Sequence, residues 1–429
     1  MLTTVPLHAA DGLEKKVRSD LAATGGRWWG SGARLLELTP GTPVDIDTLV
    51  DLYTSFRDPR FQHLPFAERP LLGPKPGRYI TTAQHRERLS RDHPELTDSQ
   101  LNARSRELTR SPLLCLDLTF APPKSTAVAH AAFQAAAEGA NQRGALEEAF
   151  TWHQKAAAVR EAVLVGNEAM LDVMQDLAGT ARAGAQGATT MEAKGWVVAS
   201  FLRTWNQARD PFLYVRNLVL NRVERADGKW RSFDSSLIMK ARAWGAAVGE
   251  RATSEALVDL LGLGLVRRTE GGSLEIEGIP EPVLELFSVR AAQVQEAATG
   301  QAEGPRMRTT RIPAMLTSVA ADQEHRHRIP GDLVRWWQQR LEEEGLPDLV
   351  NLAAATLEPG TPTKLSSGDV RKAQQAVAAL GVAVRSSIRQ QGWIALQINN
   401  HLPASLGGLS PTRVRGLLAE AVATYRPSS

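Results

Sequence analysis

The side chains with the clearest chemical potential in this chain are guanidinium groups, and they are bunched. Between Arg203 and Arg242 stand nine Arg/Lys, among them Arg203, Arg209, Arg216, Arg222, Arg225 and Arg231, against four acids, Asp210, Glu224, Asp227 and Asp234. A guanidinium holds a phosphate through two parallel hydrogen bonds and keeps its charge at any physiological pH, so it binds the anion without activating it. Tyr214 lies inside this run, and flanking cations favour its phenolate, which makes it the candidate nucleophile. Asp117 is a lone carboxylate in an apolar stretch, suited either to orienting a reacting group or to pairing with Arg203 or Arg216. Those two arginines have a competing role, the neutralisation of nearby acids in a closed core.

These groups fall on segments that read as strands. Residues 112–120 form a continuous apolar run, consistent with a central position in a sheet, and hold the single cysteine, Cys115. Residues 196–202 and 212–223 have strand length and β-formers, and Ala226-Asp227-Gly228 supplies a hairpin turn between 219–225 and 230–233. Alanine-rich helix is predicted over 126–178 with a break near 141–144, and helices follow at 237–249 and 282–298. Lys124, in the Pro123-Lys124-Ser125 turn, joins the arginines as a candidate phosphate contact. Trp28, Trp29, Trp205 and Trp230 could stack bases, although each taken singly is the kind of residue that fills a core.

Several motifs in order resemble one family. Arg27-Trp28-Trp29-Gly30-Ser31-Gly32-Ala33 is similar to a W-x-G-x-G-A turn, and Asp117-Leu118-Thr119-Phe120-Ala121-Pro122-Pro123-Lys124-Ser125 to a D-x-T-F-S-x-P-K-S segment. Thr180-Ala181-Arg182-Ala183-Gly184 matches an A-R-x-G, and Asp210-Pro211-Phe212-Leu213-Tyr214-Val215-Arg216 a D-P-x-L-H-x-H strand. Asp227–Ser235, Gly278-Ile279-Pro280 and Phe287-Ser288-Val289-Arg290 continue the order. Over roughly residues 1–300 the chain resembles the TrwC/TraI-type (MobF) conjugative relaxases, which nick one DNA strand and hold it covalently through a tyrosine. The resemblance implies an α+β fold, the antiparallel sheet of the HUH nuclease class with flanking helices, joined here to a small helical C-terminal domain.

It also implies a site that has lost its catalytic groups. The family binds a metal through three histidines, and the matching positions here are Arg203, Tyr214 and Arg216. Arginine repels a divalent cation, so the expectation is no metal and no cofactor. The family's tyrosine comes within the first few dozen residues, but no tyrosine precedes Tyr53, and residues 12–17, where it is expected, offer Lys15 and Lys16. Asp117 matches the family's acid and is vestigial on this reading. His325-Arg326-His327 is an H-x-H string in a polar stretch, better read as a solvated turn than as a metal site; His85 and His93 are isolated.

Composition limits the alternatives. At 429 residues the chain exceeds one ordinary core, and its 43% hydrophobic and 23% charged content suits a soluble globular protein. No run of eighteen apolar residues and no leading signal segment is present, so a membrane partner is not expected, and the single cysteine, which can make no internal disulfide, suits a reducing cytoplasm. The net charge of +3 is too small to establish a nucleic-acid partner by itself. The expected organisation is a relaxase-like domain over 1–300 with a basic, partly exposed insertion at 59–111, a linker at 301–330, and a helical domain at 331–429 with helices at 332–344, 367–379 and 412–425. Gly360-Thr361-Pro362-Thr363-Lys364 lacks the groups of a phosphate-cradling loop, so no nucleotide is expected.

The functional expectation is therefore a DNA-binding protein derived from a relaxase and unable to cut. It would act at an origin or terminus of a plasmid or other mobile element, on single-stranded or hairpin DNA, with other transfer or replication proteins as possible partners. Two alternatives stand beside it: an active nicking or joining enzyme with rearranged residues, and a protein-interaction scaffold that no longer binds DNA.

Overall fold

The computed structural model describes residues 2–9, 12–18, 25–74, 80–109, 111–184, 189–206, 208–269, 271–288, 333–357, 365–381 and 387–426. The predicted linker at 301–330, the His325–His327 string, and Val289 and Arg290 of the last family motif lie outside the described residues.

The chain opens with β1 (Leu2–His8), α1 (Leu13–Lys16), β2 (Gly26–Trp29), α2 (Ser31–Arg34) and α3 (Ile46–Ser55). Two short 3-10 turns lead to α4 (Thr82–Asp92) and α5 (Asp98–Leu108). Then come β3 (Leu113–Phe120), α6 (Lys124–Gln142), α7 (Leu146–Ala178), and the ribbon of β4 (Thr180–Ala183) and β5 (Thr189–Glu192). β6 (Val198–Trp205) and β7 (Pro211–Leu220) follow, with a small hairpin of β8 (Val223–Glu224) and β9 (Trp230–Arg231). The long α8 (Ser235–Leu261), β10 (Leu265–Arg267), β11 (Leu274–Ile276) and α9 (Glu281–Leu286) come next. Five helices end the described chain: α10 (Leu333–Glu343), α11 (Leu349–Ala355), α12 (Ser367–Ala379), α13 (Ile388–His401) and α14 (Pro411–Thr424).

Five strands make one antiparallel sheet in the order β1-β3-β7-β6-β2, so β7 is its middle strand. This is the α+β architecture that the sequence led one to expect. α6, α7 and α8 cover one face, where Leu116, Leu118, Phe120, Val198, Val215 and Val219 join the larger core. Among the described residues the second face is only half covered. Around α3 a smaller core gathers Tyr53, Cys115, Ala199, Phe201, Leu218 and Leu220 at one end of the strands. β7 records the difference: burial alternates from Pro211 to Arg216, then becomes continuous from Asn217 to Leu220. The alternating half of β7 has one face that the described residues leave half-exposed.

α7 and α8 can run close together because glycine lines their contact. A Cβ at Gly166 would fall 1.9 Å from Thr253 Oγ1, and one at Gly245 2.7 Å from Met174 Sδ. Gly249 is equally tight, its virtual Cβ 2.8 Å from Phe120. Glycine in a helical sequence reads as a boundary, and the predicted helix ended at 249. The structure carries α8 on to Leu261, because here glycine marks close approach instead of chain reversal. The predicted break near 141–144 falls between α6 and α7, where Gly144 has φ 74°. Gly228, with φ 78°, turns the β8–β9 hairpin where the sequence placed it.

In the 59–111 stretch, α4 and α5 form a helical pair, each with a capping box, that buries only Leu101 and Ser105. Beyond residue 331, Ser366 caps α12 and Pro411 opens α14. These last helices share the larger core: Ile394, Ile398, Leu418 and Tyr425 belong to the same buried cluster as α8. Packing thus joins what sequence order divides.

Candidate functional site

The accessible half of β7 and its two neighbours bring the singled-out residues together. Arg203 on β6 stands opposite Tyr214 on β7, and Arg216 stands between Phe201 of β6 and Thr119 of β3. Asp117 on β3 is opposite Leu218, one pleat further along. Side chains two residues apart share a sheet face, so Tyr214, Arg216, Arg203, Asp117 and Thr119 lie on one face. Arg216 Nε donates to Asp117 Oδ2 at 2.5 Å, and Thr119 Oγ1 donates to Asp117 Oδ1 at 3.1 Å. The Asp117 side chain is only 7% exposed and that of Arg216 21%. Arg203 does not share that bond; its guanidinium lies 5.6 Å from the Trp205 ring centroid.

An aromatic and cationic edge continues from this pair. Phe212, two residues before Tyr214 and like it half-buried, has its ring centroid 5.0 Å from that of Tyr214 at an interplanar angle of 40°. Lys124 opens α6, donates from Nζ to the Pro211 carbonyl at 2.8 Å, and sits 5.6 Å from the Phe212 centroid. Burial pulls its amine down to about 8, against the opposing pull of Asp210. Asp210 is fully buried in the turn before β7 and accepts from Arg340 of α10 at 3.2 Å. Trp337, also on α10, donates to the Arg209 carbonyl at 2.6 Å. Two side chains of a late helix thus fix the turn that starts the central strand.

The layer beneath is polar but closed. Asn217, next to Arg216 and facing the helices, exchanges side-chain hydrogen bonds with Asn167 of α7 at 3.1 and 2.7 Å and accepts from Ser200 at 2.7 Å. A sheet so tied to α7 holds its outer face in a fixed register.

Residues 12–17, where the resemblance led one to expect a tyrosine, include α1, with Leu13 and Val17 buried, Lys15 exposed and Lys16 half-buried. Tyr53 is no substitute. It is fully buried, its hydroxyl donates toward the carbonyls of Leu218 at 2.8 Å and Val197 at 3.2 Å, and burial holds its acidity far from the useful range.

The arginine run does not form one patch. Arg203, Arg209 and Arg216 lie toward the start of β7, and Arg222, Arg225 and Arg231 beyond its other end, across a strand roughly 30 Å long. Arg222, a candidate phosphate contact, is a structural strut. It is 4% exposed, donates to Leu72 O at 2.9 Å, Asn221 O at 2.8 Å, Pro74 O at 3.1 Å and Ser232 Oγ at 3.1 Å, and lies 3.8 Å from the Phe56 ring centroid. Arg225 pairs with Asp227, and Arg231 donates to the Trp230 carbonyl at 2.8 Å. Trp28 and Trp230 are buried in the smaller core, where they cannot meet a base, whereas Trp29 and Trp205 are half-buried.

A guanidinium is not a ligand for a divalent cation, and one of the two on this face already holds the Asp117 carboxylate. Among the described residues no group of three or more His, Cys, Asp or Glu could hold a metal. No helix among them is long and apolar enough to cross a membrane.

The sequence model of the TrwC relaxase family matches residues 18–344. The chain belongs to the TrwC relaxase family. Among solved structures, the metal-free conjugative relaxase TrwC in complex with oriT DNA has a TM-score of 0.54 and 21% identity, covering 81% of this chain and 100% of that one. The metal-bound TrwC complex with oriT DNA gives 0.54 and 21%, covering 81% and 99%. TrwC with a 27-mer DNA comprising the recognition hairpin and the cleavage site gives 0.53 and 20%, with the same coverage of 81% and 99%. At such identity the likeness is one of fold. No curated protein matches the chain.

Sequence reasoning passed over Phe212, Asn167 and the α10 pair Trp337 and Arg340. Phe212 carried a signal, being an aromatic in phase with Tyr214. The α10 residues carried none, since their partners lie some 130 positions away.

Proposed function

We propose that this TrwC-family chain binds single-stranded or hairpin DNA at an origin or terminus of a mobile element and does not cut it. The observation that carries this reading is the Asp117–Arg216 ion pair, set where the family's motif calls for a metal ligand and its acid partner. A guanidinium there can contact a phosphate but cannot polarise it as a metal does. The absence of a tyrosine before Tyr53 removes the attacking group as well. Support for DNA as the partner comes from the fold, since the solved relatives are TrwC–DNA complexes. A reducing cytoplasm suits the buried thiol of Cys115.

The test pairs cleavage with binding. With Mg²⁺ or Mn²⁺, the protein should neither nick a supercoiled plasmid carrying its own origin nor form a covalent adduct. Gel-shift affinity should fall with salt, the logarithm of the binding constant dropping by roughly 0.7–0.9 per phosphate contact for each unit of log salt. Absence of binding to single strands, hairpins and duplexes at low salt would leave the scaffold reading in its place.

One observation favours a second reading, in which the chain nicks DNA with Tyr214 as nucleophile. Tyr214 is half-buried on the accessible face, opposite Arg203 and two residues from Arg216. A denaturation-resistant protein–DNA band that disappears in Tyr214→Phe would establish it.

A further inference from the structure

We propose that Phe212 and Tyr214 form a stacking platform for an unpaired nucleobase, with the cations around them placed for the adjoining phosphates. The proposal rests on the DNA-binding reading above and specifies which chemical moiety this site recognises.

The argument begins with the pattern of β7. Its accessible positions are Phe212, Tyr214 and Arg216, while Leu213 and Val215 fill the core behind them. A half-exposed strand face is ordinarily polar. Two aromatic rings in succession on such a face therefore present apolar surface to whatever approaches it. The rings brace each other at 5.0 Å and 40°, so the surface is held in place before any ligand arrives.

Charge around the rings points to the class of ligand. The Lys124 ammonium lies 5.6 Å from the Phe212 centroid, and Arg203 stands directly across from Tyr214. An apolar ring surface edged by cations complements a base with its phosphates, and not an apolar peptide face. Arg216 is partly neutralised by Asp117, so electrostatic attraction at the centre of the site is weakened. Recognition there must lean on ring contact more than on charge. In duplex DNA the faces of the bases are stacked on one another and unavailable, so the platform selects for unpaired strand.

The experiment separates ring contact from charge. Fluorescence anisotropy of the full chain is measured with a short labelled oligothymidylate, and with a strand of equal length and phosphate number carrying abasic tetrahydrofuran units. The expected result is affinity about five- to hundredfold weaker for the abasic strand. Phe212→Ala/Tyr214→Ala should bring the intact strand down to the abasic level and leave abasic binding unchanged. Tyr214→Phe keeps the ring and should bind the intact strand as the parent does, which guards against loss of folding as the cause. Equal affinity of the parent for the two strands, or an equal loss for both in the double variant, would overturn the platform while leaving DNA binding intact. Failure of the parent to bind either strand would overturn both readings together.

Discussion

Arg216 reaches Asp117 diagonally across two strands: Asp117 stands opposite Leu218 and Arg216 opposite Thr119, yet Nε and Oδ2 are 2.5 Å apart. Diagonal neighbours on a sheet face are within reach of a long side chain, and arginine is long enough to close the gap. The consequence is a site that carries its own counter-charge. Arg216 supplies the cation that neutralises Asp117 from within the sheet itself.

The pair should be coupled energetically. Arg216→Ala leaves a carboxylate that is 7% exposed without its cation, and removing one partner of a buried pair is strongly destabilising. Because Arg216 is itself about a fifth exposed, the expected loss is discounted to roughly 1–3 kcal/mol. Asp117→Asn should cost less, since the amide oxygen can still accept from Arg216 while its NH2 donates to the Thr119 hydroxyl. In a urea-denaturation cycle with the double variant, the two losses should fail to add by about 1 kcal/mol. Strictly additive losses would mean that the contact contributes nothing to stability.

Lys124 should give stability a pH dependence of unusual sign. Burial lowers its amine from 10.5 to about 8 in the folded protein. Below pH 8 both states hold the proton, and the folded state bears the penalty of a desolvated charge. Between about 8 and 10.5 the folded state has released its proton while the unfolded state still binds one, so this residue's contribution to stability rises with pH across that window. The difference in unfolding free energy between the parent and Lys124→Met, followed from pH 7 to pH 10, should show the rise. A flat difference would place the ammonium in water.

The C-terminal helices should depend on one buried ion pair. Arg251 and Glu255 of α8 are wholly buried, 3.3 Å apart. Arg251 donates to the Pro403 and Ala404 carbonyls at 2.9 Å and to Asn399 Oδ1 at 2.8 Å, while Glu255 accepts from the amides of Leu406 and Gly408 at 2.9 Å. Arg251→Met would strand the carboxylate, at about 3–5 kcal/mol. Limited proteolysis should then cut near 399–409 well before the sheet core is attacked. Unchanged cleavage kinetics would show that apolar packing alone holds these helices.

Much of the fold was legible because its signals are local. The apolar run of β3, the break between α6 and α7 and the Gly228 turn each depend on residues a few positions apart. α8 was misjudged at its far end because the requirement for Gly245 and Gly249 comes from α7 and β3, not from α8 itself. Arg222 was misjudged for the same kind of reason. Nothing in its neighbourhood in sequence announces that Leu72 and Pro74 supply carbonyl partners about 150 positions away.

Sequence alone determined which groups are present: Arg203, Tyr214 and Arg216 close together in one run, and no tyrosine before Tyr53. It determined the order of motifs that marks the family, because such motifs are statements about residue type. Only the tertiary structure decided which cations face the site and which are consumed in packing. That division depends on where the second face of the sheet is covered, and the covering core around α3 is assembled from segments far apart in the chain. Pairing of Asp117 with Arg216, and the support that α10 gives to Asp210, were settled there too, since hydrogen bonds form between neighbours in space.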